Sequence, residues 1–485
     1  MLFRDNWIVP TEMGEYYYKK PPVYNWVIIG GFSLFRNYSE YAVRFLSILS
    51  FLGMGVLVFL MGRRYVNNHF GIYAGLLTWI MADVLFYFSA TAGEIDLFYS
   101  FITLASFFTI FHFHQKQNLY ALFIATYALG AIGTLTKGLP SPVFLAVSLG
   151  VFFLYQGEFR QLFSLSHLAG ILTFVLIVGG YFWWYDHYHP FINYFTSEDS
   201  LWSQSSERTM LENSFFILLP HLLLFPLETL KNVIPASLLL LFIIRKDFFT
   251  ELRQQPFIFF CLIIFLSNIA IYWISPGTRS RYVYMLYPLL IIILTFGYTN
   301  FSQSTDHLRF RWFHGIILGL IVISGLTCLS LSFIPQLADI SGTVAVSIIS
   351  TLVIAVLLIT HLRKRSLALP NLIALIIILR FVFAGIILPY RAQNGSAAQD
   401  KADAYEIAQI TENESLFLFE DSRCSLTTVF YLERERTEVL RRNTEINSQY
   451  YYLANRSLLS DQMYEVFYTF AYGDQEFALI KFRDP

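Results

Sequence analysis

Between Tyr41 and Tyr390 the chain passes through twelve long apolar stretches, and the charges in the gaps between them alternate in kind. The odd-numbered gaps carry Arg63-Arg64, Lys116, Arg160, Arg245-Lys246, Arg309 with Arg311, and Arg363-Lys364-Arg365. The even-numbered gaps carry acids, aromatics and special turns: Glu94 and Asp96, Thr136-Lys137-Gly138, the segment 186–212 and the segment 276–281. Cytoplasmic loops of membrane proteins are enriched in Lys and Arg. The alternation therefore assigns the odd gaps to the cytoplasm and the even gaps to the outside. The reactive side chains then collect on the outer face.

Composition agrees with a polytopic membrane protein. Hydrophobic residues make up 56% of the chain, charged residues 14%, and the mean hydropathy is +0.53. Soluble domains are about 45–50% apolar and about 25% charged. A net charge of -1, without a basic stripe, argues against a nucleic-acid partner. Three cysteines give no disulfide framework, and Cys261 and Cys328 lie within apolar stretches as small hydrophobes.

The expected spans are 41–62, 70–90, 97–113, 119–135, 139–155, 166–185, 229–244, 257–274, 282–298, 313–334, 342–360 and 371–390. A helix needs about 20 residues to cross a bilayer core. Only helices satisfy their own backbone in lipid without closing a barrel. The expectation is an all-α polytopic membrane bundle of about twelve helices, without the internal repeat of many transporters. Residues 1–40 form a juxtamembrane segment and 41–390 the membrane domain. Residues 391–485 form a small soluble α/β domain, with strands near 415–419, 427–432 and 477–482 and a helix near 401–410. Twelve crossings from an outward start end outward, so this domain is expected to be extracytoplasmic. The basic segment 1–40 contradicts an outward start, because Arg4, Lys19, Lys20 and Arg36 should hold it inside. An additional helix upstream, absent from this chain, would remove the contradiction.

Several motifs on the outer face suit an anion. Trp7-Ile8-Val9-Pro10 is followed by Tyr18-Lys19-Lys20-Pro21-Pro22-Val23-Tyr24-Asn25-Trp26, where two prolines constrain the backbone after Lys20. An ammonium held there suits a phosphate; the plainer alternative is an interfacial anchor. Gly93-Glu94-Ile95-Asp96 places two carboxylates at the outer end of a span, to hold a divalent cation or act as a general base. The alternative is a solvated acidic loop. Asp83 lies within the preceding span, where a charge faces an interior or a cavity. Lys137, Arg279 and Arg281 break the sign rule for outer loops and read as anion ligands; for Lys137 the alternative is snorkelling. His187 and His189 beside Asp186 are weaker metal candidates, with no third ligand at a recognised spacing. An outward cavity would then set Lys20, Lys137, Arg279 and Arg281 against one anion, with Glu94 and Asp96 nearby.

In these motifs the chain resembles the GT-C membrane glycosyltransferases that use polyprenyl-phosphate sugars. The nearest branch is that of the dolichyl-phosphate-mannose–protein mannosyltransferases and the transferase that adds aminoarabinose to lipid A. The resemblance rests on Trp7–Pro10 with Lys20-Pro21-Pro22 and Trp26, and on Tyr41-Ala42-Val43-Arg44-Phe45-Leu46-Ser47. It continues through Asp96, Thr136-Lys137-Gly138, Glu207-Arg208-Thr209, Pro276-Gly277 with Arg279, Arg281-Tyr282 and Tyr287-Pro288. It implies thirteen spans and an extracytoplasmic C-terminal domain at the plasma (inner) membrane. It also implies that Lys20 and Lys137 engage the donor phosphate, that Arg279 and Arg281 neutralise it, and that Arg208 fills the basic position of the long loop. Asp96, with Glu94, would belong to the acidic site. The implied partners are a polyprenyl-phosphate-linked sugar and a lipid, glycan or protein acceptor. Two departures stand out. The family's first acidic motif, usually taken as the base, would precede Met1. Lys19 stands where some relatives use Glu, with a histidine, to hold metal, so no metal is assigned, although Glu94 and Asp96 leave a divalent ion open.

Two other functions share part of this pattern. A transporter or flippase would place its charges near mid-membrane, as Asp83 and Arg380 suggest, rather than at the outer surface. A polymerase or ligase of lipid-linked glycans shares the outer-face logic.

Overall fold

The structure, a computed structural model, describes the chain except residues 5, 88–89, 91, 198–214, 302–306, 460–462 and 484–485. It divides into two compact units, 18–385 and 1–17 with 386–485.

The larger unit is helical. Helix α1 covers Val23–Phe35, α2 Glu40–Tyr65, α3 Asn68–Trp79, α4 Ile95–Gln115, α5 Leu119–Lys137, α6 Pro140–Tyr155 and α7 Leu165–Asp186. Local chemistry sets several starts. The side chains of Ser39, Asn67, Asn118 and Ser164 accept hydrogen bonds from backbone N–H groups that have no partner inside α2, α3, α5 and α7. Pro140 and Pro256 occupy first-turn positions, where a missing N–H costs nothing. Among the described residues nine helices are long and apolar enough to cross a membrane. Two expected spans are shorter, at Pro140–Tyr155 and Tyr287–Thr299, and one is a bent pair. Helices thus lie at all twelve expected places, nine of them long enough to cross or ten with the bent pair, and the chain is a multi-pass membrane protein with an all-α body.

The bent pair corrects the expected span 229–244. A helix begins at Phe215 and runs to Asn232, and a second piece, including Ala236–Ile243, follows at 104°. Pro235 cannot donate to a continuing helix, so the turn falls there. Upstream, the apolar side chains sustain the helix in spite of Pro220 and Pro226.

Helices α2 and α3 pack at a distance only glycine permits. A Cβ on Gly71 would sit 2.6 Å from both Phe59 O and Arg63 N, and one on Gly75 would sit 2.9 Å from Gly55 O. Small residues that let backbones approach are the usual basis of helix association in lipid.

The smaller unit opens with a hairpin of β1 (Thr11–Glu12) and β2 (Glu15–Tyr16), turned at Met13 and Gly14, both with positive φ. Its main sheet has the order β4-β3-β5-β7-β6. The strands are β3 Leu416–Phe419, β4 Arg441–Asn443, β5 Tyr451–Asn455, β6 Tyr464–Tyr472 and β7 Gln475–Phe482. Strand β3 is parallel to β4 and β5, while β7 runs antiparallel to β5 and β6. Alternate residues Leu416, Leu418, Leu453, Phe477 and Leu479 join Ala404, Ile407, Val429 and Leu432 in one core. The expected helix near 401–410 is present within Ser396–Ile410. The expected strand 427–432 is a helix, Leu426–Arg436, which is a correction. Its β-branched and aromatic residues suggest a strand. Its buried positions Thr428, Val429, Tyr431 and Leu432 follow a helical stripe, and Ser425 caps its start.

Candidate active site

The first turn of α4 carries the acids. Glu94 is its N-cap residue and Asp96 its second residue, where the helix dipole favours negative charge. Lys137 is the last residue of α5, the end that favours a cation. Gly138 follows with φ 83° and ψ -138°, a conformation open to glycine, and turns the chain directly into α6. Arg281 sits in a short 3-10 turn, Ser280–Val283, ahead of the helix Tyr287–Thr299.

Folding brings these groups together. Lys137 Nζ donates to Asp96 Oδ1 at 2.5 Å, with both side chains under a tenth exposed (8% and 5%). The ammonium also lies 5.0 Å from the ring centroid of Tyr99 and 4.8 Å from that of Tyr282. Arg281 Nη1 donates to Glu94 Oε1 at 2.7 Å, and Arg281 Nε is 3.7 Å from Asp96 Oδ2. Lys20 is close enough to act electrostatically on Glu94. Three cationic side chains thus surround two carboxylates. Burial raises the Glu94 pKa above the usual carboxylate range, with Arg281 opposing the shift. Glu94 Oε2 is buried and has no hydrogen-bond partner among the described residues.

A second layer fixes the turn. Ser47 Oγ donates to the Glu94 carbonyl at 3.1 Å and lies 2.6 Å from the Tyr24 hydroxyl. This ties α1 and α2 to the start of α4. Asp83, in a short π-helical stretch, accepts from the Tyr284 hydroxyl at 2.6 Å.

Of the residues named from sequence, Lys20, Glu94, Asp96, Lys137 and Arg281 meet in one cluster. Arg279 is exposed and makes no ion pair among the described residues. Arg208 lies outside the described residues. The candidate metal ligands of the outer loop go separate ways. Asp186 accepts from Phe191 N, His187 Nδ1 lies 2.8 Å from the Trp183 carbonyl, and His189 Nε2 lies 2.6 Å from the Tyr18 hydroxyl. Among the described residues no group of three His, Cys, Asp or Glu is arranged to hold a metal. The sequence reading overlooks Tyr99, one helical turn after Asp96. That spacing places it on the same face of α4, which is the signal that could have found it.

Residues 19–184 match the family model described as dolichyl-phosphate-mannose-protein mannosyltransferase. A protein of Aquifex aeolicus (strain VF5) is 24% identical over 342 residues, 69% of this chain and 63% of that one. The undecaprenyl phosphate-alpha-4-amino-4-deoxy-L-arabinose arabinosyl transferase 2 of Proteus mirabilis (strain HI4320) is 23% identical over 355 residues. That alignment covers 68% of this chain and 59% of the relative. The chain therefore spans less than two thirds of each of these two relatives. In three dimensions it is similar to ArnT from Cupriavidus metallidurans, solved bound to undecaprenyl phosphate, with a TM-score of 0.69 at 17% identity. The likeness covers 99% of this chain and 91% of that one. The segment 19–184 is thus similar to the protein mannosyltransferase family, and the fold is similar to that of ArnT.

Proposed function

We propose that the chain is an integral-membrane glycosyltransferase. It moves a sugar from a polyprenyl-phosphate donor to a lipid, glycan or protein acceptor at the outer face of a plasma (inner) membrane. The observation that carries this reading is the cluster itself. Lys137 and Arg281, from gaps where Lys and Arg are otherwise scarce, pair with Asp96 and Glu94 at a helix start, and Lys20 acts electrostatically on Glu94. Transport chemistry would favour charges near mid-span.

The chemistry follows from the charges. An acceptor hydroxyl attacks the sugar's anomeric carbon, the bond from that carbon to the phosphate oxygen breaks, and the polyprenyl phosphate leaves with the bonding pair. Cations at that phosphate stabilise the departing charge. Arg281 offers a planar fork suited to phosphate, and Lys20 adds a point charge. Lys137 supports the same phosphate while Asp96 and two aromatic rings hold it in place. The proton of the acceptor hydroxyl needs a base. Glu94 has an oxygen to spare and a raised pKa, so it takes that role. Asp96, committed to Lys137, acts as a positioning residue. The charge alternation of the gaps supports a C-terminal unit and outer loops outside the cytoplasm.

Binding of undecaprenyl phosphate to the full chain in neutral detergent tests the donor assignment. A hydrogen bond to a charged group is worth about 1.5–3 kcal/mol. Arg281→Gln and Lys20→Ala are therefore expected to weaken binding about tenfold or more each. Unchanged affinity in both variants would remove the donor site.

A further inference from the structure

At the far end of α4 from the acids, a cavity opens between α2 and α4. Its volume is about 600 Å³, within the range of small-molecule sites. Asp96 and His112 are sixteen residues apart along α4, or about 24 Å at 1.5 Å per residue. The cavity is thus remote from the carboxylate cluster. Its walls are apolar, formed by Leu57, Leu60 and Met61 of α2 and by Ala105 and Phe108 of α4. Its polar end is formed by the two cationic side chains Arg63 and Arg64 and by His112.

Two observations describe the polar end of this cavity. First, Arg63 and Arg64 are exposed and neither makes an ion pair among the described residues. Arg63 lies 6.0 Å from the Phe59 ring, and Arg64 hydrogen-bonds to the Tyr65 side chain, 5.7 Å from its ring centroid. Second, the His112 ring is held. Its Nδ1 lies 2.8 Å from the Tyr65 hydroxyl, which leaves Nε2 as the ring nitrogen open to a ligand. Tyr65 in turn packs edge-on against Phe111, with centroids 5.0 Å apart. Lys116 and Arg64 both act electrostatically on His112, so the field at this end is positive. An apolar slot with a cationic mouth at a span terminus matches one chemistry: a phosphodiester with an acyl chain attached.

We propose that this groove binds an anionic phospholipid of the leaflet opposite the carboxylate cluster. One acyl chain lies along Leu57, Leu60, Met61 and Phe108, and the phosphate is held by Arg63, Arg64 and His112. The close α2–α3 packing at Gly71 and Gly75 fixes the other side of α2, so the groove is a standing feature of the bundle.

Native mass spectrometry of the full chain in neutral detergent, with phosphatidylglycerol as probe, tests this. The wild-type chain should retain phosphatidylglycerol at least tenfold better than phosphatidylcholine, and should retain no inorganic phosphate. Arg63→Gln with Arg64→Gln should lose at least tenfold in phosphatidylglycerol retention. Should that double variant fail to insert, Leu60→Trp decides. It fills the slot and keeps both arginines, and should lose retention equally. Equal retention of the two lipids, retention of free phosphate, or unchanged retention in either variant overturns the proposal.

Discussion

The cluster at the start of α4 contains two ion pairs that differ in one respect. Lys137 and Asp96 are closed off, at 8% and 5% exposure, whereas Arg281 and Glu94 are 22% and 25% exposed. The closed pair is clamped between Tyr99 and Tyr282. The open pair has an oxygen, Glu94 Oε2, that no group among the described residues satisfies. A buried pair with matched charges adds little to stability, but breaking it from one side leaves an uncompensated charge. An open pair can exchange partners when a substrate arrives. The difference separates scaffold from chemistry within a few ångströms.

Breaking the closed pair should have the largest effect. Asp96→Ala strands the Lys137 ammonium in a buried site, at a cost of about 3–5 kcal/mol. A large fall in melting temperature of the detergent-solubilised chain would report it. The double variant Asp96→Ala with Lys137→Met should recover most of that loss, because neither charge remains. If the double variant were as unstable as the single one, the pair would not be the cause. A smaller effect is expected from the layer behind the open pair. Ser47→Ala removes the bond to the Glu94 carbonyl and leaves the Tyr24 hydroxyl without its partner. Each such bond contributes about 0.5–1.5 kcal/mol. Thermal denaturation should show a modest loss, and an unchanged melting temperature would mean that this tie does not hold the turn.

Legibility differs between the two pairs and between the two units. The spans are legible because an apolar run near the bilayer thickness has few alternative structures. The helix Phe215–Asn232 escapes notice because Pro220 and Pro226 interrupt its apolar run, yet neighbouring helices let such a helix persist. In the C-terminal unit, Thr427-Thr428-Val429-Phe430-Tyr431-Leu432 reads as a strand by residue type, and tertiary packing of its helical stripe overrides that preference. Lys20, Lys137 and Arg281 are legible as cations on the side where Lys and Arg are scarce, and Glu94 and Asp96 as acids at a span end. Their pairing is not legible. Asp96 and Lys137 are brought together by the packing of α4 on α5, and Arg281 comes from a turn far along the chain. Arg279 illustrates the same limit: two residues from Arg281, it is exposed and outside the pairs.

The most direct test is the pH–rate profile of Glu94→Gln. The readout is release of polyprenyl phosphate from lipid-linked sugars extracted from the source membranes. Burial disfavours the ionised form of Glu94, so its proton leaves at a higher pH than that of an ordinary carboxyl. The base is present only above that point, and the wild-type rate should fall as pH drops through it. Glu94→Gln should lose about 10²–10⁴-fold in rate and lose that acid limb, while still binding undecaprenyl phosphate. A variant that keeps both the wild-type rate and the acid limb would contradict the assignment of Glu94, and with it the division of the cluster into scaffold and chemistry.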